Sequence, residues 1–145
     1  MVSVDGIGAM VVAVALAVLE RDGLWLLQLR DDIEGIVAPG CWGLFGGHLE
    51  PGESPEEGLR RELKEEIDYT AALLEPWLQL DNDGRIRHFF RGPLTCPLEH
   101  LRLLEGQDMA LVSLAELRSG QVWSLKLGQH RPLAPSLQQI VARLQ

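Results

Sequence analysis

Three glutamates in the middle of this 145-residue sequence have the spacing of ligands on one face of a helix: Glu62, Glu65 and Glu66. A helix turns by about 100° per residue, so side chains three and four positions apart lie side by side. Carboxylates at this separation repel one another, and a divalent cation would remove the repulsion. All-oxygen ligation suits a hard ion such as Mg²⁺ or Mn²⁺. The alternative is an acidic face exposed to water, which is what most charge runs are.

The residues just before these glutamates predict the helix that carries them. Ser54 can cap its free amides, Pro55 suits its first turn, and Glu57 can complete a capping box. We therefore expect a helix from about Pro55 to about Ile67. Its apolar residues form a stripe beside the carboxylates that can pack on the rest of the protein: Leu59, Leu63 and Ile67.

The spacing of the whole stretch 47–69 favours the metal-binding interpretation. It resembles the Nudix box, G-x5-E-x7-R-E-U-x-E-E-x-G-U, in which U is a bulky aliphatic residue. Asp68 departs from the box glycine and Tyr69 from its final aliphatic residue. Asp68 makes a left-handed helix exit costlier by about 1 kcal/mol or less, without affecting the carboxylates. Seven fixed positions are matched: Gly47, Glu53, Arg61, Glu62, Leu63, Glu65 and Glu66.

The resemblance to the Nudix (MutT-like) family implies a metal-dependent pyrophosphohydrolase that cleaves a nucleoside diphosphate linked to another moiety. Nucleoside triphosphates and nucleotide sugars are substrates of this type. The cofactor is then Mg²⁺, or alternatively Mn²⁺. The implied metal ligands are a backbone carbonyl and four carboxylates: Gly47, Glu62, Glu65, Glu66 and Glu105.

Three of these glutamates are also candidates for the general base: Glu65, Glu66 and Glu105. Glu105 is included because MutT-like members carry a glutamate in a similar EGQ segment. The resemblance further implies that Glu53 is an outer-shell or additional metal ligand. Arg61 is expected to orient a carboxylate, because a guanidinium fork matches a carboxylate in a bidentate pair.

Substrate contacts are expected from four residues around the box: Arg30, Trp42, Gly46 and Gly47. Paired glycines let a ligand approach the backbone closely. Trp42 and Trp123 fall in predicted loops and are candidates to stack on a nucleobase, although most aromatic residues belong to the core.

A later segment, Arg85–Arg91, reads as a strand that carries basic residues. Arg85, Arg87 and His88 are candidates to meet an anion. Alternation of polar residues on a half-exposed strand is the commoner explanation of such a pattern.

Composition limits the function. With 13 basic and 21 acidic residues, the net charge of −8 argues against binding a nucleic acid polymer. The apolar run Ala9–Leu19 is too short to span a bilayer, and no basic segment precedes it as in a signal peptide. Two distant cysteines, Cys41 and Cys96, fit a reduced compartment, so we expect a cytoplasmic protein without membrane attachment.

The chain length suits a single domain over residues 1–145. After a loose lead-in over Met1–Gly8, Ala9–Leu19 reads as a central buried strand and Leu24–Arg30 as its hairpin partner. Further elements are a strand over Thr70–Leu80 that can break at Pro76, and helices over Ser113–Ser119 and Ser136–Leu144.

This pattern predicts an α/β or α+β fold. The resemblance implies an α/β/α sandwich, with a mixed β-sheet between helices and homodimers common among relatives. Two other functions stay open. One is a catalytically weak nucleotide-binding or regulatory module, and the other is an interaction protein whose acidic helix binds a basic partner.

Overall fold

The computed structural model describes residues 2–4, 10–82 and 84–145. In this part of the chain, ten strands, three helices and a short 3₁₀ turn follow one another. In chain order they are β1 (Val2–Val4), β2 (Met10–Arg21), β3 (Leu24–Leu29), β4 (Trp42–Gly43), β5 (Phe45–His48), α1 (Pro55–Ile67), β6 (Glu75–Asn82), β7 (Arg85–Pro93), the 3₁₀ turn (Leu98–His100), β8 (Asp108–Val112), α2 (Leu114–Ser119), β9 (Gln121–Ser124), β10 (Gln129–Pro132) and α3 (Pro135–Val141).

The long strand β2 organises the main sheet. β7 runs parallel to it along one side, and β6 pairs antiparallel with β7 at the outer edge. On its other side β2 pairs in succession with β1, β5 and β3, and β3 pairs in turn with β4 and β8. The sheet is therefore mixed, as expected, while β9 and β10 form a separate hairpin.

Side chains alternate between two cores, one on each face of the sheet. Ala17 of β2 and Phe90 of β7 pack toward the stripe of α1, whereas their neighbours Val18 and Phe89 pack toward α2 and α3. This alternation follows from the two-residue period of a strand. Because helices cover both faces, the fold is the α/β/α sandwich that the family resemblance implies. The helix residues that enter the two cores include Leu59, Leu63 and Ile67 on one face and Leu117, Leu137 and Ile140 on the other.

The helix α1 begins and ends through the local signals in its sequence. The Ser54 side chain accepts from the Glu57 amide, the Glu57 side chain accepts from the Ser54 amide, and Pro55 opens the first turn. At the other end Asp68 adopts a left-handed conformation, with φ 52° and ψ 43°. Lys64 pairs with the Asp68 carboxylate at 2.9 Å. The helix exit therefore keeps the left-handed geometry even though the box glycine is absent.

Several expected boundaries were wrong. Val2–Val4 is not a loose lead-in but a strand that pairs with the start of β2; the rest of that segment, and Ala9, lie outside the described residues. The strand predicted from Thr70 begins only at Glu75, and its irregularity falls between Pro76 and Leu78, because proline cannot donate to the ladder. The last helix is shorter than predicted and ends at Val141.

The β9–β10 hairpin was not predicted, because its short strands alternate too few apolar residues to give a clear pattern. Cys41 and Cys96 are not bonded to each other. None of the helices in the described ranges has the length and apolar character needed to cross a membrane.

Candidate active site

A cavity of about 610 Å³ lies beside β4 and β5 and brings together groups of both charges. Its acidic side chains are Glu62 and Glu66 from α1, and Glu105 from the loop before β8. Other parts of the chain contribute basic and apolar side chains to the lining. The apolar residues include Val14 and Leu16, and the basic or imidazole side chains are Arg30, His48, Arg85 and Arg87.

Glu66 is the buried centre of the acidic side, with 3% of the residue exposed. The Gly46 amide donates to its Oε1 at 2.9 Å. Burial, together with a hydrogen bond to the Glu105 side chain, raises the pKa of Glu66 to about 10. Without a cation in the cavity, Glu66 is therefore protonated at neutral pH.

Glu62 lies one turn earlier on the helix and packs against the backbone of β5. A Cβ atom added to Gly47 would lie 2.9 Å from the Glu62 carboxylate, so any other residue there would displace the carboxylate from its present position. Burial raises the pKa of Glu62, and the Arg61 guanidinium opposes that shift. The backbone of β5 thus contacts two carboxylates of α1: the Gly46 amide donates to Glu66, and Gly47 leaves space for Glu62.

Arg61 connects the box loop to the helix. Its guanidinium forms a bidentate pair with Glu53, with Nε and Nη2 at 2.7 and 3.0 Å from the two carboxylate oxygens. Nη2 also donates to the His48 carbonyl at 3.1 Å. The hydrogen bond from Arg61 lowers the pKa of Glu53 to about 2, and the Glu53 side chain raises the pKa of Arg61. Both carboxylate oxygens of Glu53 therefore accept hydrogen bonds from Arg61 in this structure.

The structure does not bring Glu65 into the cavity. Its side chain is 57% exposed and lies 3.2 Å from Arg61 Nη1. In the described part of the chain, no three acidic, histidine or cysteine side chains have the spacing of a formed metal site. The predicted ligand set is thus assembled only in part, by Glu62, Glu66 and Glu105.

These three carboxylates nevertheless fit a hard divalent ion. They supply only oxygen donors, which such ions prefer. The raised pKa of Glu66 results partly from the nearby Glu105 and Glu62 carboxylates, and a cation would remove that repulsion. The donor chemistry of this cavity therefore agrees with a divalent metal.

Glu105 is held by a residue that the sequence analysis did not single out. Gln28 of β3 is a buried polar side chain, 2% exposed, and its Nε2 donates to the Glu105 carbonyl at 3.0 Å. The same loop is fixed by Gln107, whose backbone amide donates to the Leu29 carbonyl at 2.8 Å. The only sequence signal for Gln28 is a polar residue inside an apolar strand.

Of the expected substrate contacts, Arg30, Gly46 and Gly47 line the cavity. Trp42 does not, and its predicted position in a loop is wrong. It lies in β4 with none of its surface exposed, and its ring N–H donates to the Val122 carbonyl at 3.0 Å. Its ring therefore has no face free for a nucleobase. Trp123 lies in β9, 47% exposed and against His130, away from the cavity.

The strand β7 divides the three basic residues that the sequence analysis considered together. Arg85 and Arg87 line the cavity, whereas His88 lines a different groove beside β6. Arg85 Nη1 donates to His48 Nε2 at 3.3 Å. Burial and the Arg85 charge lower the pKa of His48, which agrees with a neutral ring that accepts this bond.

Comparison with known proteins shows similarity in sequence. The model of the NUDIX domain matches residues 9–134. The nucleoside triphosphatase NudI of Salmonella paratyphi B is 42% identical over 76 residues, which cover 51% of this chain and 52% of NudI. The chain thus spans about half the length of the curated relatives it matches.

The fold is also similar to solved structures. A MutT NUDIX hydrolase from Burkholderia pseudomallei has a TM-score of 0.72 and 18% identity, covering 92% of this chain and 98% of that one. The NUDIX domain of Shewanella oneidensis NrtR, solved with ADP ribose, has a TM-score of 0.69 and 19% identity, covering 92% and 85%. At these identities the likeness concerns the fold alone. Because the sequence model of the domain covers most of its length, the chain belongs to the Nudix family.

Proposed function

We propose that this protein is a metal-dependent pyrophosphohydrolase acting on a nucleoside diphosphate linked to another moiety, with nucleoside triphosphates as the first substrates to test. The observation that carries the proposal is the meeting of Glu62, Glu66 and Glu105 in one cavity. The similarity to NudI, a nucleoside triphosphatase, supports this substrate class over the aligned half of the chain. Nudix hydrolases generally use divalent metal ions, and we propose Mg²⁺ or Mn²⁺ here.

The oxygen donors proposed for the ion are Glu62, Glu66, Glu105 and the Gly47 carbonyl. When bound, such an ion neutralises diphosphate oxygens and lowers the pKa of the water that attacks phosphorus. The chain's own residues set the geometry. The Gly46 amide orients the Glu66 carboxylate, and the Gly47 backbone leaves space for Glu62.

The general base is chosen first by reach and only then by pKa. Glu66 and Glu105 line the cavity, whereas the Glu65 carboxylate lies against Arg61. Glu65 would have to leave Arg61 before it could take a proton from a water in the cavity. We therefore propose Glu66 or Glu105 as the general base, with Arg61 and Glu53 in a supporting role.

The test is a screen of nucleoside triphosphates, nucleotide sugars and ADP-ribose for release of phosphate or pyrophosphate that depends on Mg²⁺ or Mn²⁺. Glu66→Gln should lower kcat by roughly 10²-fold or more, since it removes a ligand and a candidate base. The matched control is Glu56→Gln on the same helix, because Glu56 is exposed and pairs with Arg60 at 3.0 Å. Its kcat should stay near that of the wild type.

Two results would contradict the proposal. One is wild-type turnover by Glu66→Gln on a substrate that the wild-type protein hydrolyses. The other is nucleotide binding without metal-dependent release from any member of the screen, which is the outcome expected of a nucleotide-binding module.

A further inference from the structure

One wall of the cavity is a segment without regular secondary structure, residues 31–40, between β3 and β4. Val37 and Ala38 of this segment line the cavity, together with Arg30 and Cys41 at its two ends. Most residues of the segment are exposed. Because it is neither helix nor strand, its position depends on contacts with its surroundings.

The backbone of this segment is held in an unfavourable conformation. Ala38 has a φ of 49°, in the left-handed region that residues other than glycine rarely adopt. Such a conformation persists only where surrounding contacts fix it, and it is common beside ligand sites. Two of these contacts are local. Arg30 Nε donates to the Val37 carbonyl at 2.6 Å, and the Cys41 amide donates to the Ala38 carbonyl at 3.3 Å.

Arg131 of β10 holds the same segment from a distant part of the chain. Its Nε donates to the Gly40 carbonyl at 2.8 Å, and its Nη2 lies 3.3 Å from Asp32 Oδ2. Nη1 donates to Gln129 Oε1 at 3.1 Å, which orients the guanidinium from its own strand. The Arg131 side chain is only 22% exposed. One guanidinium thus connects both ends of the segment to the β9–β10 hairpin.

Gly40 provides the space that Arg131 occupies. A Cβ atom at this position would overlap Arg131 Nη2. Since the end of a long side chain moves more easily than backbone, a larger residue at position 40 would displace the guanidinium. A change at either residue should therefore release the same contacts.

The segment and the glutamates give the cavity two kinds of lining. Glu62, Glu66 and Glu105 suit a diphosphate bound to a metal ion. Val37 and Ala38 instead bring aliphatic side chains to the cavity. Apolar lining suits the rings of a nucleoside better than it suits charged phosphates. The segment is thus placed to contact the nucleoside end of a nucleotide.

We propose that Arg131 is a positioning residue that holds residues 31–40 as the cavity wall for the nucleoside end of the substrate. This inference rests on the proposed function, since it takes the cavity as the nucleotide site. Arg131 is not among the residues that line the cavity, so it acts through the segment and not by touching the substrate.

The first experiment measures hydrolysis of nucleoside triphosphates by Arg131→Met and Arg131→Lys. Release of the wall should raise KM roughly tenfold in Arg131→Met, with kcat within about twofold of the wild type, because the glutamates lie on other elements. Arg131→Lys keeps the charge but loses the planar fork, so its KM should fall between the two. The matched control is Lys126→Met, which removes a charge from the exposed turn of the same hairpin and should leave KM unchanged.

The second experiment measures binding without turnover. Calorimetry with Mg²⁺ compares the α,β-methylene analogue of ADP with methylenediphosphonate, which carries the same pair of phosphorus groups without the nucleoside. Arg131→Met should weaken binding of the ADP analogue roughly tenfold and change that of methylenediphosphonate by less than about twofold. Amide hydrogen exchange in residues 31–40 should be faster in Arg131→Met than in the wild type or Lys126→Met. Gly40→Ala should reproduce these effects, and it provides the test if Arg131→Met does not fold.

The outcomes separate this inference from the proposed function. If the wild-type protein hydrolyses no nucleotide but binds the ADP analogue with an affinity that depends on Arg131, the proposed function fails and the inference stands. If nucleotides are hydrolysed and both Arg131→Met and Gly40→Ala keep the wild-type KM, the inference fails and the function stands.

Two further results would overturn the inference. Equal weakening of the ADP analogue and methylenediphosphonate would place the effect at the phosphates and not at the nucleoside. A lower kcat at unchanged KM is the result expected if Arg131 only maintains the fold around the glutamates.

Discussion

Replacing Glu66 by glutamine should stabilise the metal-free protein even though it lowers kcat. Burial and the nearby Glu105 carboxylate raise the pKa of Glu66 from 4.5 to about 10 in the folded protein. Above pH 4.5 the unfolded chain releases this proton and the folded protein keeps it. The contribution to stability is therefore fully present below pH 4.5 and is lost as the pH rises from 4.5 toward about 10.

The size of the effect at pH 7 follows from the unfolded pKa alone, provided that the folded pKa lies above 7. The interval from 4.5 to 7 is about 2.5 pH units, and each unit corresponds to about 1.4 kcal/mol. The ionisable side chain thus costs the metal-free protein about 3 kcal/mol at pH 7. Glutamine cannot ionise and still offers an oxygen to the Gly46 amide. The free energy of unfolding of metal-free Glu66→Gln at pH 7 should therefore exceed that of the wild-type protein by up to about 3 kcal/mol. Its Tm should be higher by roughly 6–12 °C.

The assay is thermal and urea unfolding in EDTA over a range of about pH 5 to pH 9. The wild-type protein should lose stability as pH rises, and Glu66→Gln should show a flatter dependence. Glu65→Gln is the matched control, since that side chain is exposed and already contacts Arg61. Adding Mg²⁺ or Mn²⁺ should stabilise the wild-type protein near pH 7 and leave Glu66→Gln almost unchanged. Equal stability and equal slopes in the two metal-free proteins would refute the reasoning.

Three further predictions concern the surroundings of the site. Gln28→Met removes the donor to the Glu105 carbonyl and should lower kcat roughly tenfold at unchanged KM. Gln107→Met, which loses a hydrogen bond to the Arg30 carbonyl, should leave kcat unchanged. Equal kcat values for the two variants would exclude a positioning role for Gln28. Burial lowers the pKa of His88 below 6.5, so stability is present above pH 6.5 and falls as the pH drops; His88→Asn should flatten that fall in unfolding experiments. Asp68→Gly should change the free energy of unfolding by no more than about 1 kcal/mol, with kcat unaffected, and a large loss of kcat would show that the helix exit shapes the site.

The sequence predicts those parts of the fold whose causes are local. The helix α1 begins at Pro55 and ends at Ile67, as predicted, because its capping box and apolar stripe lie within its own sequence. β2 was recognised because a run of apolar residues is typical of a strand covered on both faces. By contrast, Trp42 was assigned to a loop, since a two-residue strand such as β4 exists only through its partner β3.

The candidate site was predictable only in its residue types. Spacing places Glu62, Glu65 and Glu66 on one face of the helix, but the Glu65 and Glu66 side chains then point toward different interaction partners. Arg61 lies close enough to hold Glu65 at 3.2 Å, while Glu66 turns to the Gly46 amide. The same limit applies to Arg85, because its place in the cavity depends on the register between β7 and β2. Neither the partners of the glutamates nor the register of β7 can be predicted from neighbouring residues in the sequence.

The glycine pair of β5 illustrates how the core determines the geometry of the site. A Cβ atom at Gly46, where φ is 139°, would overlap the Ala15 carbonyl oxygen of β2. Gly46 is therefore required by the sheet itself, and through the sheet its amide is aimed at Glu66. A Cβ at Gly47 would instead meet the flexible end of Glu62, which belongs to the cavity. Glycine is thus favoured at the two adjacent positions for different reasons: pairing with β2 at Gly46 and space for Glu62 at Gly47. The position of the Glu66 carboxylate follows from the pairing of β5 with β2, because that pairing fixes the Gly46 amide.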